Sequence, residues 1–131
     1  MSFLLDTDIC SAHLKTQQLT HRFVQHLGRL HISTVTLAEL YTWALRSKVS
    51  PGRLSALHTL LSDVVVLDVS PDIAIRFGKV QADLFDAGKP MPGMDLLIAS
   101  TALVHGLTMV THNVQDYANV PGLSIADWLA P

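Results

Sequence analysis

Four carboxylates stand at places where the sequence predicts that strands end or helices begin. Asp6 closes the apolar run "SFLL", Glu39 follows the run "LHISTV", and Asp95 stands between "KPMPGM" and "LLIAS". Asp116 lies in "THNVQD", shortly after the run "LTMVT". Acids at such places can cap helices, or they can act together as the oxygen ligands that a hard metal ion prefers.

Local sequence leaves both roles open for Glu39 and Asp95. Thr36-Leu37-Ala38-Glu39 matches a capping box, and an acid such as Asp95 in the first turn of a helix complements the helix dipole. Asp6 is harder to explain as a cap alone. A carboxylate at the end of a buried strand must be solvated, hydrogen-bonded or metal-bound, because burying it bare costs several kcal/mol.

Strand and helix signals alternate along the chain. Strands are predicted at "SFLLD", "LHISTV", "DVVVLDV" and, as the last one, "LTMVT". Helices are predicted at "DICSAHLK", at "QLTHRFVQHL" ending at Gly28, around Glu39, after the break at Ser50-Pro51-Gly52, from Ser70-Pro71, and over "MDLLIASTALVH" up to Gly106. This order predicts an α/β sandwich around a mostly parallel sheet.

In such a sheet the carboxyl ends of the strands share one edge, where functional groups gather. Asp6, Glu39, Asp95 and Asp116 can all be placed there, with Glu39 in the first turn of its helix. Crowded carboxylates repel and raise one another's pKa, and Mg²⁺ or Mn²⁺ removes that penalty. Asp68 and Asp8 are rival candidates. For both, we favour a structural role or a role in supporting the metal ligands, and on an extended chain Asp8 would point away from Asp6.

Composition narrows the function classes. The 131 residues predict one domain, and 49% hydrophobic residues exclude a disordered chain. Charged residues reach only 15%, against roughly 25% in an average domain, which suggests that a partner chain covers part of the surface. The single cysteine, Cys10, fits a reducing cytoplasm, and no stretch predicts a membrane span. The zinc motif HExxH and the nucleotide-binding motifs GxxxxGK[ST] and GxGxxG are absent from the sequence. A zinc enzyme or a nucleotide-binding protein is therefore not indicated.

Five segments together resemble the PIN-domain ribonucleases of the VapC toxin type, over nearly the whole chain: "LLDTDIC", "ISTVTLAELYTWA", "GKPMPGMDLLIASTAL", "GLTMVTHNVQDYANVPGL" and "IADW". The resemblance implies a single PIN domain over 1–131, a three-layer α/β/α sandwich with a mostly parallel central sheet. It implies a cytoplasmic Mg²⁺- or Mn²⁺-dependent endoribonuclease, the toxin of a toxin–antitoxin module. Its substrate would be RNA, with transfer RNA as one candidate. The implied partner is a VapB-type antitoxin, and the implied assemblies are a homodimer and a larger toxin–antitoxin complex. No association with a membrane is implied.

The resemblance also assigns the site. The family's first three acids fall on Asp6, Glu39 and Asp95. Our hypothesis is that Asp6 and Asp95 hold the metal, with Glu39 and Asp116 acting directly or through bound waters. Asp116, assisted by Asn113, is expected at the fourth acidic position, and Thr111 would be a nearby hydroxyl. Metal-activated water would attack the phosphodiester. A group of basic residues could guide the RNA backbone: Arg46, Lys48, Arg53, Arg76, Lys79 and Lys89.

Two other functions compete with this interpretation. "LLDTDI" is an apolar strand followed by D-x-D, as in phosphatases of the haloacid-dehalogenase type, in which Asp6 would be the nucleophile. These enzymes also need a late acidic pair, and none follows Asp95. The other alternative is a catalytically silent binding module whose acids only cap helices.

Overall fold

Parallel strands form the centre of the molecule. The computed structural model describes residues 1–46, 48 and 51–131. Its elements are, in chain order, β1 Phe3–Leu5, α1 Thr7–Thr16, α2 Thr20–Gln25, β2 Leu30–Ser33, α3 Thr34–Leu45, α4 Gly52–Leu61, β3 Val65–Leu67, α5 Pro71–Asp86, α6 Gly93–His105, β4 Thr108–Val110, a 3-10 helix Val114–Tyr117 and β5 Ile125–Ala126. The strand order is β3-β2-β1-β4-β5, and every pairing among these strands is parallel.

The central strand β1 shows why helices cover both faces of the sheet. Successive side chains of a strand point to opposite faces. Phe3 and Leu5 therefore join a core with residues of α1 to α4, whereas Leu4 joins a second core with residues of α5 and α6. The predicted three-layer α/β/α sandwich with a parallel sheet is confirmed.

Helix ends test the sequence predictions most closely. Ser70 caps α5 by accepting a hydrogen bond from the Ile73 amide, with Pro71 as the first helical residue, and Gly106 ends α6 in the left-handed conformation, both as predicted. The predicted end of the second helix at Gly28 is wrong, because α2 already ends at Gln25. Of the predicted break at Ser50-Pro51-Gly52, Ser50 lies outside the described residues, and α4 begins at Gly52.

The last predicted strand is not the last in the structure. Residues 125 and 126 pair with β4 as β5, which extends the sheet by one edge strand. Two residues are too few to give a periodic hydrophobic signal, so sequence alone could not identify them. Among the described residues, no helix has both the length and the apolar composition needed to cross a bilayer.

Candidate active site

Asp6 sits at the carboxyl end of the central strand and is only 4% exposed. Its Oδ1 atom accepts a hydrogen bond from the Thr7 amide at 2.8 Å, so the residue caps α1. Its Oδ2 atom accepts one from the Thr111 hydroxyl at 2.8 Å and one from the Tyr117 hydroxyl at 3.3 Å. Asp6 is therefore both a helix cap and a fixed, buried carboxylate next to the end of β4.

Asp8 does not point away from Asp6, and the expectation of an extended chain there was wrong. Because α1 begins at Thr7, the backbone curls, and Asp8 lies in the first helical turn. Its Oδ2 atom accepts a hydrogen bond from the His112 amide at 2.9 Å and lies 3.5 Å from the Thr111 hydroxyl, which also contacts Asp6. The two carboxylates thus share one hydroxyl.

Glu39 is not part of a capping box, which corrects that alternative. Helix α3 begins at Thr34, and Ser33 caps it by accepting a hydrogen bond from the Val35 amide at 3.1 Å. Glu39 therefore lies in the second turn rather than the first. Its Oε1 atom accepts a hydrogen bond from the Thr7 hydroxyl at 2.7 Å, which places its carboxylate beside the start of α1.

Asp95 and Asp116 approach the same place from the other side of the sheet. Asp95 is half-buried in the first turn of α6, as predicted, and Asp116 is exposed on the 3-10 helix after β4. Burial raises the pKa of Asp95, and the charges of Glu39, Asp116 and Asp8 raise it further. Five acids consequently share one electrostatic environment: Asp6, Asp8, Glu39, Asp95 and Asp116.

Burial and the neighbouring Asp8 charge raise the pKa of Asp6 from its usual 3.8 to about 6. The hydrogen bonds from Thr111 and Thr7 oppose this rise, and the charge of Asp95 adds to it. Burial also raises the pKa of Asp8. The metal-free fold therefore holds these negative charges at a cost in stability.

This cost predicts how stability changes with pH. A carboxyl whose pKa is higher in the folded than in the unfolded state makes the fold more stable as pH falls through the folded pKa. In EDTA, we expect wild type to gain stability relative to Asp6→Asn between pH 7.5 and pH 4.5, by on the order of 3 kcal/mol at most. Denaturant unfolding of both proteins measures the difference.

Comparison with Asp6→Asn is needed because two histidines oppose the effect. Burial lowers the pKa of His13 and of His26, so their contribution to stability falls as the solution is acidified. Both histidines are present in both proteins, and their effect cancels in the difference. Parallel pH profiles for wild type and Asp6→Asn would contradict the raised pKa of Asp6.

The donor atoms of the site can be compared with those that the predicted Mg²⁺ or Mn²⁺ ion requires. Within residues 1–46, 48 and 51–131, no three His, Cys, Asp or Glu side chains form a group that could hold a metal. The carboxylates nevertheless supply the oxygen ligands that Mg²⁺ prefers. The buried Asp8 Oδ1 atom has no hydrogen-bond partner among the described residues, so it is one free ligand atom. Mg²⁺ binds with one or two carboxylates and keeps several waters. The residues fit such a water-rich ion and do not form a closed cage.

The rival acid Asp68 lies apart from this group. Asp68 follows β3, the edge strand, which is two positions from β1 in the sheet. Because neighbouring strands lie about 4.8 Å apart, β3 is roughly 10 Å from β1. Asp68 thus follows the edge strand, whereas Asp8 lies beside Asp6.

Sequence analysis expected a nearby hydroxyl at Thr111, which donates to Asp6, but it missed Thr7 and Tyr117 as partners of the acids. The Thr7 hydroxyl donates to Glu39. Thr7 directly follows Asp6, and because aspartate commonly caps helices, Asp6 was a usable signal that a helix begins at Thr7. Tyr117 gave no signal of its own, because its contact with Asp6 joins residues 111 positions apart.

Comparison with known proteins identifies the family. The PIN domain model matches residues 3–123. The chain is 33% identical over 130 residues to the tRNA(fMet)-specific endonuclease VapC of Salmonella typhimurium, with 98% of each chain covered. The chain is a PIN-domain protein of the VapC family. Its fold matches a crystal structure of DNA-bound VapBC from the same organism with a TM-score of 0.92 at 33% identity, covering 98% of each chain.

A second VapBC structure, VapBC-1 from nontypeable Haemophilus influenzae, matches with a TM-score of 0.86 at 30% identity, covering 99% of this chain and 100% of that one. Membership of the VapC family makes the chain a nuclease. The dehalogenase-type phosphatase interpretation of "LLDTDI" therefore has no support.

Proposed function

We propose that this VapC-family nuclease is a cytoplasmic endoribonuclease that depends on Mg²⁺ or Mn²⁺. It is the toxin of a toxin–antitoxin pair, and a VapB-type antitoxin is its partner. The observation that supports metal-dependent cleavage best is the crowding of Asp6, Asp8, Glu39, Asp95 and Asp116 at the carboxyl edge of the sheet. A cluster of that charge repels an RNA phosphate unless a cation compensates it.

Asp6 and Asp95 would hold the ion, with Glu39 and Asp116 acting directly or through waters. A divalent ion supplies Lewis-acid stabilisation of the phosphodiester and lowers the pKa of water. The chain supplies fixed positions: three hydrogen bonds hold Asp6, and the Thr7 hydroxyl orients Glu39. Such preorganisation lets the carboxylates act without first reorienting.

Transfer RNA is the substrate class that we propose. Relatives from Salmonella typhimurium and Shigella flexneri, 33% and 34% identical, are tRNA(fMet)-specific endonucleases. Exposed cations that could guide the RNA backbone are Arg46, Lys48, Arg76, Lys79 and Lys89. Arg53 is engaged elsewhere, because its guanidinium stacks on Trp43 at 4.7 Å and donates to the Trp43 carbonyl at 3.1 Å.

A homodimer, and a larger complex with the antitoxin, would complete the assembly. Two large apolar side chains of α5, Ile75 and Phe85, are 71% and 63% exposed and could be covered by a partner chain. In a dimer, cations from two chains could line one groove for RNA.

Mapping RNA ends after induced expression tests this function. Wild type is expected to produce new ends at one or a few sites in transfer RNA and to stop growth, and co-expression of the antitoxin should suppress both effects. Asp6→Asn serves as the inactive control. Identical RNA ends and identical growth with wild type and Asp6→Asn would favour the silent binding module instead.

A further inference from the structure

Tyr117 has a hydroxyl group that core packing does not require. The residue ends the 3-10 helix, directly after Asp116, and is only 1% exposed. Its ring belongs to the same apolar core as Leu4 and Leu96, where a phenylalanine ring would fill the space equally well. Its hydroxyl donates to Asp6 Oδ2 at 3.3 Å. Buried tyrosine hydroxyls commonly find such a partner, and here the partner is the central acid of the site.

This contact completes a set of three donors around one carboxylate. The Thr7 amide comes from α1, the Thr111 hydroxyl from the end of β4, and the Tyr117 hydroxyl from the 3-10 helix. An ionised carboxylate offers about four lone-pair positions, so three donors leave about one for a cation. The three donors thus fix both the plane of the Asp6 carboxylate and the direction that stays open.

The same contact also fixes the chain that carries Asp116. Thr111 accepts a hydrogen bond from the Asn113 amide at 3.1 Å, and the Asp116 amide donates to the Asn113 carbonyl at 3.0 Å. Tyr117 holds the far end of this short segment against Asp6. The segment is therefore attached to the Asp6 carboxylate at both ends, through Thr111 and through Tyr117.

We propose that the Tyr117 hydroxyl is a positioning group of the metal site, which orients the Asp6 carboxylate toward the cation and keeps Asp116 beside it. This inference rests on the proposed metal-dependent function. Groups that orient metal ligands from behind typically change metal affinity or activity by about 10–100-fold when they are removed. Tyr117 contacts Asp6, a proposed metal ligand, in this way through its hydrogen bond to Oδ2.

The test is Tyr117→Phe, which removes one oxygen and keeps the ring. Calorimetric titration of Mn²⁺ and Mg²⁺ into the purified, metal-free full chain should show a dissociation constant about 10-fold or more above that of wild type. The metal concentration for half-maximal RNA cleavage should rise by a similar factor. Cleavage at saturating metal should change less, because excess cation compensates for the weaker site.

Tyr41→Phe is the matched control. Tyr41 is a half-buried tyrosine on α3 that packs against the other core, so its variant should bind metal as wild type does. Wild-type affinity in Tyr117→Phe would overturn the inference. A lower unfolding temperature in Tyr117→Phe with unchanged metal affinity would overturn it too, since the hydroxyl would then serve folding alone. If wild type itself bound no metal, the proposed function would fail instead.

Discussion

Replacing Asp95 by asparagine is expected to lower the rate of RNA cleavage by on the order of 10²–10³-fold without unfolding the protein. Asparagine keeps the shape of the side chain and removes its charge, and with it one proposed metal ligand. Because burial and neighbouring acids raise the pKa of Asp95, the metal-free fold should tolerate this loss of charge. Initial rates on transfer RNA in saturating Mg²⁺, with unfolding temperatures, measure both effects.

Asp68→Asn is the matched control for this prediction. Asp68 is also an aspartate that follows a strand, but that strand is the edge strand β3, two positions from β1. The Asp68→Asn variant should therefore cleave RNA at the wild-type rate. Equal activity in Asp95→Asn and wild type, or a loss confined to Asp68→Asn, would show that the wrong acids have been assigned.

Removal of divalent metal has the other large expected effect. In excess EDTA, cleavage should fall to the background rate, and added Mg²⁺ or Mn²⁺ should restore it. Without a cation the five carboxylates would repel the RNA phosphate, and no other group in the cluster would offset the charge that develops during phosphodiester hydrolysis. Gel analysis of labelled transfer RNA across a metal titration measures the effect.

A control separates loss of chemistry from loss of fold. Circular dichroism of the chain in EDTA should show intact secondary structure, because both apolar cores form without the acids. Undiminished cleavage in EDTA by a protein passed over a chelating resin would rule out metal dependence. The nuclease would then need another source of positive charge at the site.

Much of the fold could be predicted from the sequence because its signals are local. The Ser70-Pro71 start of α5 and the Gly106 end of α6 follow from the backbone preferences of single residues. The position of Asp95 in the first turn of α6 follows from the "KPMPGM" segment before it. The strand β5 was missed, because two residues that pair with β4 carry no pattern of their own.

The site was predicted less completely, because its geometry depends on where helices begin. One residue decided the direction of Asp8: α1 begins at Thr7, so Asp8 turns toward Asp6. Likewise, α3 begins at Thr34, which moves Glu39 from a cap position to a position beside Thr7. The Tyr117 contact joins distant segments, and only the folded chain reveals it.

Calorimetric titration of Mn²⁺ and Mg²⁺ into the metal-free wild type tests most directly whether the acids form one cation site. We expect a saturable binding isotherm in wild type that is lost in Asp6→Asn and in Asp95→Asn and retained in Asp68→Asn. The absence of any binding by wild type, with or without RNA, would contradict the account, and so would equal binding by wild type and Asp6→Asn.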